Sequence, residues 1–191
     1  MWPWEHAAFG YLCYSLGRHL AVGQGPGDGA TVALVAGTLV PDLVDKPLAW
    51  AFGVVPTGYA VAHSALVAVP ALAALVALAR RRGRGSVALA YAVGHLSHLA
   101  GDLLYPLVVE GYLPVRRLLW PVAGYPEPEG GAGFLALVSF YLRRYVRQLL
   151  ALEPGPLLLF EAGLVGTVFG LWLYDGAPVL RVLWRRLRPA A

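Results

Sequence analysis

Three ionisable residues, His95, His98 and Asp102, interrupt the run AVGHLSHLAGDLLYP (92–106), where a bilayer-spanning helix would carry leucine and valine. At about 100° per residue the three fall within roughly 60° of one another on a helix, so one face carries them all. His6, Asp42, Asp45 and His63 interrupt other apolar segments in the same way. A charged residue at the centre of a membrane helix costs about 2.5–3.5 kcal/mol, so a gathering of them calls for something that offsets the cost. Imidazole nitrogen and carboxylate oxygen are ligand types for divalent cations, zinc first among them, with manganese or iron as alternatives. Blander chemistry fits the residues singly. His63 alone reads as a helix–helix hydrogen-bonder, and His98 with Asp102 as a simple His–Asp pair. The metal expectation rests on the whole set meeting.

The elements that position these residues are membrane elements by composition. The chain has 191 residues, of which 58% are hydrophobic and 14% charged, with mean hydropathy +0.61; soluble domains carry about 25% charged residues. No Asp, Glu, Lys or Arg occurs from Pro47 to Ala79 or from Gly85 to Gly101, and runs of about 18 apolar residues read as spans. The net charge of +4 is almost wholly arginine, Lys46 being the one lysine. The arginines flank apolar segments, at 80–84 and 181–188, which suits membrane lipid headgroups and argues against a nucleic-acid partner. Cys13 stands alone, which excludes an internal disulfide and a cysteine metal cluster. The opening MWPWEH lacks a basic leader, so the first segment is expected to be retained.

The expected fold is all-α, a multi-pass transmembrane bundle of about five spans in one domain, 1–191. The spans fall at about His6–Val22, from Gly29 into PDLVDKPLAW, Tyr59–Ala79, Ser86–Val109 and Pro156–Tyr174. Residues 6–109 form the half that bears the site, 110–155 an interfacial region, and 156–191 the last span and a basic tail. Within 110–155, Phe134, Val138, Tyr141, Leu142, Tyr145, Leu149 and Leu152 share one side, with Arg143, Arg144 and Arg147 largely opposite. That is an amphipathic helix lying at the interface. Trp2, Trp4 and Trp50 fit an aromatic belt. Arg116 and Arg117 suit anchoring or holding a phosphate. If the spans alternate, His6, Asp42, Asp45, His63, His98 and Asp102 meet at one membrane face, whichever way the chain inserts. The half near Arg18 and Arg80 reads as apolar, and positive-inside bias puts the site on the non-cytoplasmic side.

In order, EHAAFGYL, PDLVDKP, AHS, GHLSHLAGDLLYP and LLWP over about residues 5–121 resemble the YdjM-like family of membrane-bound metal-dependent hydrolases. The family pattern has an early His, P-D-x-D, H-R-G-x-T-H-S, then S-H-x-x-x-D followed by W-P. The resemblance carries its polar positions onto His6, Asp42, His63, Ser64, His98 and Asp102. Here the second aspartate, Asp45, is displaced by one residue, and Gly58, Tyr59 and Ala60 stand where H-R-G would be. His95 rests on local geometry alone. A remoter likeness to helical zinc-dependent phospholipases C implies phosphoester chemistry. The expected assignment makes His6, His63, His98 and Asp102 metal ligands, with His95 a further candidate. Asp42 is then ligand or general base, Asp45 a second carboxylate, and Ser64 a group that orients ligand or substrate. The substrate class is a lipid or lipid-linked phosphoester. The rival expectations are a metal or proton transporter and a non-catalytic membrane protein.

Overall fold

A computed structural model describes residues 1–124, 133–150, 156–181 and 184. Residues 125–132 and 151–155, Leu152 among them, and most of the basic tail lie outside the described residues. The described chain is all-helical: α1 (Pro3–Val22), α2 (Asp28–Trp50), α3 (Ala65–Arg81), α4 (Gly85–Glu110), a 3₁₀ turn (Val115–Leu118), α5 (Phe134–Leu150) and α6 (Pro156–Tyr174). By length and composition one helix, α4, is long and apolar enough to cross a membrane, and Leu159–Tyr174 is a shorter apolar stretch.

The distribution of polarity is that of a chain facing lipid. Its fully buried side chains include His6, His63, His98, Glu5, Asp45, Thr38 and Ser15, while Val32, Leu66, Val69, Leu89, Phe169 and Leu173 are exposed. A water-facing domain sorts its residues the other way.

The most extensive contact is α2 against α4, and glycine makes it. A Cβ on Gly37 would run into the Tyr91 carbonyl, and one on Gly94 into the Leu34 carbonyl. The two backbones therefore touch, as small residues allow in membrane helices. Two apolar clusters flank this seam, one around Tyr11, Tyr14, Leu34 and Ala90, the other around Ala68, Leu72, Ala92 and Leu99.

Two expectations need correction. The third segment does not begin at Tyr59: α3 starts at Ala65, and His63 lies in the non-helical stretch before it. Gly53, Pro56 and Gly58 punctuate that stretch, and Ser64 caps α3 by accepting from the Val67 N–H. The second segment is a single helix, α2, unbroken through Pro41 and Pro47. Second, the far half is not purely apolar. Asp175, just past α6, accepts from Tyr11 and Ser15 of α1 and pairs with His19. Asp28 at the start of α2 accepts from Arg181 Nε and the Val179 N–H. These bonds pin the end of α6 beside the end of α1, so the two run parallel.

The amphipathic α5 is present, with Arg143, Arg144 and Arg147 exposed. The tryptophans seat it: Trp2 and Trp4 stack on each other and meet Tyr145, while Trp50 meets Phe134 and Tyr141.

Candidate metal centre

His6 near the start of α1, Asp42 near the end of α2, His63 before α3, and His98 and Asp102 in α4 do converge. His63 Nε2 lies 3.1 Å from His98 Nε2, 3.4 Å from Asp42 Oδ1 and 3.5 Å from Asp102 Oδ2. His98 Nε2 lies 3.7 Å from Asp42 Oδ1 and 3.5 Å from Asp102 Oδ2. On the other side of Asp102, Oδ1 is 3.4 Å from His6 Nε2, and the His6 and His98 rings stack with centroids 3.7 Å apart. Two groups of donor atoms close enough to hold a cation result: Asp42, His63 and His98, and His6, His98 and Asp102.

The protonation of the imidazoles follows from their outer partners. His98 Nδ1 is 2.7 Å from the Thr38 carbonyl, which can only accept, so that nitrogen carries the proton. His63 Nδ1 donates to Asp45 Oδ2 at 2.8 Å. When both rings are neutral each keeps an Nε2 lone pair, and the two Nε2 atoms face each other across 3.1 Å. Such a pair repels unless positive charge lies between them. The His6 Nδ1 atom is buried without a hydrogen-bond partner.

The donor set fits a divalent cation. Ligands at about 2.0–2.1 Å around tetrahedral zinc stand about 3.3–3.4 Å apart, close to the 3.1–3.7 Å that separate His63 and His98 from each other and from Asp42 and Asp102. Two imidazoles and two carboxylates are also the mixture such ions take. Lys46 Nζ holds Asp42 Oδ2 at 2.6 Å, leaving Oδ1 to face the imidazoles. The Asp42 side chain is 14% exposed, against 5% or less for those of His6, His63, His98 and Asp102. The cluster therefore opens on the Asp42–Lys46 side.

Asp45, Ser64 and His95 stand behind this set. Asp45 is fully buried and accepts from the backbone N–H groups of Ala60, Ala62 and His63 as well as from the His63 ring. One carboxylate thus satisfies the amides of a non-helical stretch that has no helix to do so. His95 Nε2 donates to the Ala62 carbonyl at 2.8 Å, steadying the same stretch from α4. Ser64 Oγ donates to the Trp120 carbonyl. Sequence reasoning missed Thr38, Lys46 and Glu5. Lys46 was legible as the partner of Asp42 at i,i+4, and Glu5 as the third residue of a helix whose cap N–H it accepts from. Thr38 acts through its carbonyl, which no side-chain pattern reveals.

A family model described as YdjM inner membrane protein matches residues 1–174. The chain belongs to the YdjM family. The match runs beyond the motif-bearing part, through α6, and makes this a membrane protein on family grounds where α4 is the single strong span candidate among the described residues. No curated protein and no solved structure gives a match.

Proposed function

We propose that this chain is a multi-pass membrane hydrolase that holds a divalent cation, zinc or else manganese or iron, and acts on a phosphoester of a lipid or lipid-linked substrate. In this reading α1, α2, α3, α4 and α6 traverse the bilayer, and α5 lies along the interface over the face that bears the site. Positive-inside bias from Arg18 and the Arg80–Arg84 cluster puts that face on the non-cytoplasmic side.

The observation that carries the proposal is the pair of Nε2 atoms on His63 and His98, opposed at 3.1 Å, flanked by two carboxylates and with both outer nitrogens already committed. A proton satisfies one pair of acceptors; a cation satisfies three at once. His63, His98 and Asp102 are assigned as ligands, with Asp42 as ligand or general base and His6 beside them on Asp102. The bound cation would supply Lewis-acid polarisation of a phosphoryl oxygen and lower the pKa of a water. The protein's own groups do the rest. Asp45 and the Thr38 carbonyl fix the imidazole tautomers. Where Asp42 is not a ligand, its carboxylate, the most open of the set, takes a proton from the attacking water. The Lys46 ammonium at the open side is placed to meet the charge of an arriving phosphoester.

A transporter using the same cluster draws on the polar groups at the opposite end, around Asp175. Those groups are locked in short hydrogen bonds, which favours the enzyme.

Elemental analysis of the purified protein tests the premise: the wild type retains about one divalent cation per chain or more, and His98→Ala loses it. Metal-free wild type under conditions where zinc is supplied overturns the proposal. Phospholipid turnover dependent on added Zn²⁺ or Mn²⁺ is the expected activity; metal-dependent flux into liposomes without turnover identifies the transporter.

A further inference from the structure

Pro106 lies within α4, four residues after Asp102. Proline has no N–H, so the backbone carbonyl of Asp102 loses its helical hydrogen-bond donor. Asp102 is 4% exposed, and a buried carbonyl without a partner is costly. Arg117, in the 3₁₀ turn after α4, supplies the missing bond: its Nη1 donates to the Asp102 carbonyl at 3.0 Å. The same guanidinium lies 4.5 Å from the ring centroid of Tyr59, and Tyr59 meets the His63 imidazole edge-on at 4.9 Å. A few residues on, the Trp120 carbonyl takes the Ser64 hydroxyl next to His63. The segment from Arg117 to Trp120 therefore touches both of the elements that bear His63 and Asp102. Its neighbour Arg116 is exposed.

The geometry points to Arg117 as a positioning residue of the cluster, which replaces the helix donor withheld by Pro106 and sets the Asp102 carboxylate against His63. The inference rests on the metal assignment above, and it adds a residue that the motifs do not contain. Arginine suits both duties. Its planar fork donates to the carbonyl along one edge and stacks on the phenol ring with its face, whereas lysine offers a donor without the plate. A partner behind a ligand tunes metal affinity by about 10–100-fold.

The test is a double-mutant cycle on the full chain in detergent, titrated with Co²⁺ and read by its visible d–d bands, with wild type, Arg117→Ala, Pro106→Ala and the double variant. Arg117→Ala is expected to weaken Co²⁺ binding about 10–100-fold and shift the bands. Pro106→Ala restores an N–H to the helix, so the double variant recovers most of that loss. Arg117→Lys, the milder change should Arg117→Ala fold poorly, falls between. Wild-type affinity in Arg117→Ala, or an equal loss in the Pro106→Ala background, overturns the assignment. The same cycle read as thermal midpoints in chelator must show coupling of the same sign. Additive effects there overturn it whether or not metal binds. Wild type that takes up no Co²⁺ removes the metal reading instead, so the two failures are distinct.

Discussion

Two buried polar clusters sit at opposite ends of the bundle, built from the same residue types and balanced in opposite ways. At the Asp175 end, Tyr11 Oη and Ser15 Oγ donate to Oδ2 at 2.7 and 2.6 Å, and His19 Nε2 meets Oδ1 at 2.7 Å. Each carboxylate oxygen has a donor at hydrogen-bond distance, and the knot is closed. At the other end, Asp42 and Asp102 face His63 and His98 at 3.4–3.7 Å, with acceptors in excess and protons already spent on Asp45 and Thr38. The contrast teaches that a histidine and an aspartate buried in an apolar chain do not define a site. The balance of donors and acceptors does.

That contrast yields separable outcomes. The largest effect is expected at Asp102, whose two oxygens face His6 on one side and His63 and His98 on the other: Asp102→Ala removes bound metal, as elemental analysis will read, while Asp175→Asn leaves metal content unchanged. Metal lost equally from both variants would erase the distinction. Next is Asp45→Asn. It weakens the acceptor that fixes the His63 ring, so metal affinity falls about 10–100-fold with the fold retained. A smaller effect falls on stability alone. Asp175→Asn costs about 1–3 kcal/mol, since donors to a charged acceptor lose their partner, and a thermal or denaturant midpoint measures it.

The pH dependence of that knot has a definite sign. Burial pushes the Asp175 carboxyl up, but hydrogen bonds from Ser15, Tyr11 and His19 hold it on balance below its ordinary 3.8. A carboxyl lowered in the folded state stabilises fully above its unfolded pKa and loses that contribution as pH falls through the folded value. Stability of the wild type therefore drops on acidification below about pH 4, and the drop is shallower in Asp175→Asn. Identical acid profiles would show that the knot contributes nothing. The smallest effect belongs to Ser64→Ala, about 1 kcal/mol from the lost α3 cap, with metal affinity unchanged. A selective loss of turnover there would return Ser64 to the chemistry.

Much of the cluster was legible because membrane helices alternate. His6, Asp42, His98 and Asp102 could be placed at one face from segment order alone, and the structure brings them together. His63 was placed correctly in space and wrongly in structure. An apolar run from Tyr59 onward reads as helix by hydropathy, but its first residues spend their N–H groups on Asp45, a tertiary bond that hydropathy does not register. His95 shares a helical face with His98, yet its Nε2 is taken by the Ala62 carbonyl, and no side-chain pattern shows where a carbonyl points. Arg117 reads as an anchoring arginine beside Arg116. The Pro106 spacing held the hint, since it marks the Asp102 carbonyl as needing a donor.

By itself the sequence determined the all-helical class, the membrane setting, the family and the residues able to take part, because hydropathy, helical period and motif order are local quantities. Only the tertiary structure decided which histidine nitrogens face one another and which are spent on a carbonyl or a carboxylate. That division depends on the atom opposite each ring nitrogen, and for His63, His95 and His98 that atom comes from a segment distant in the chain.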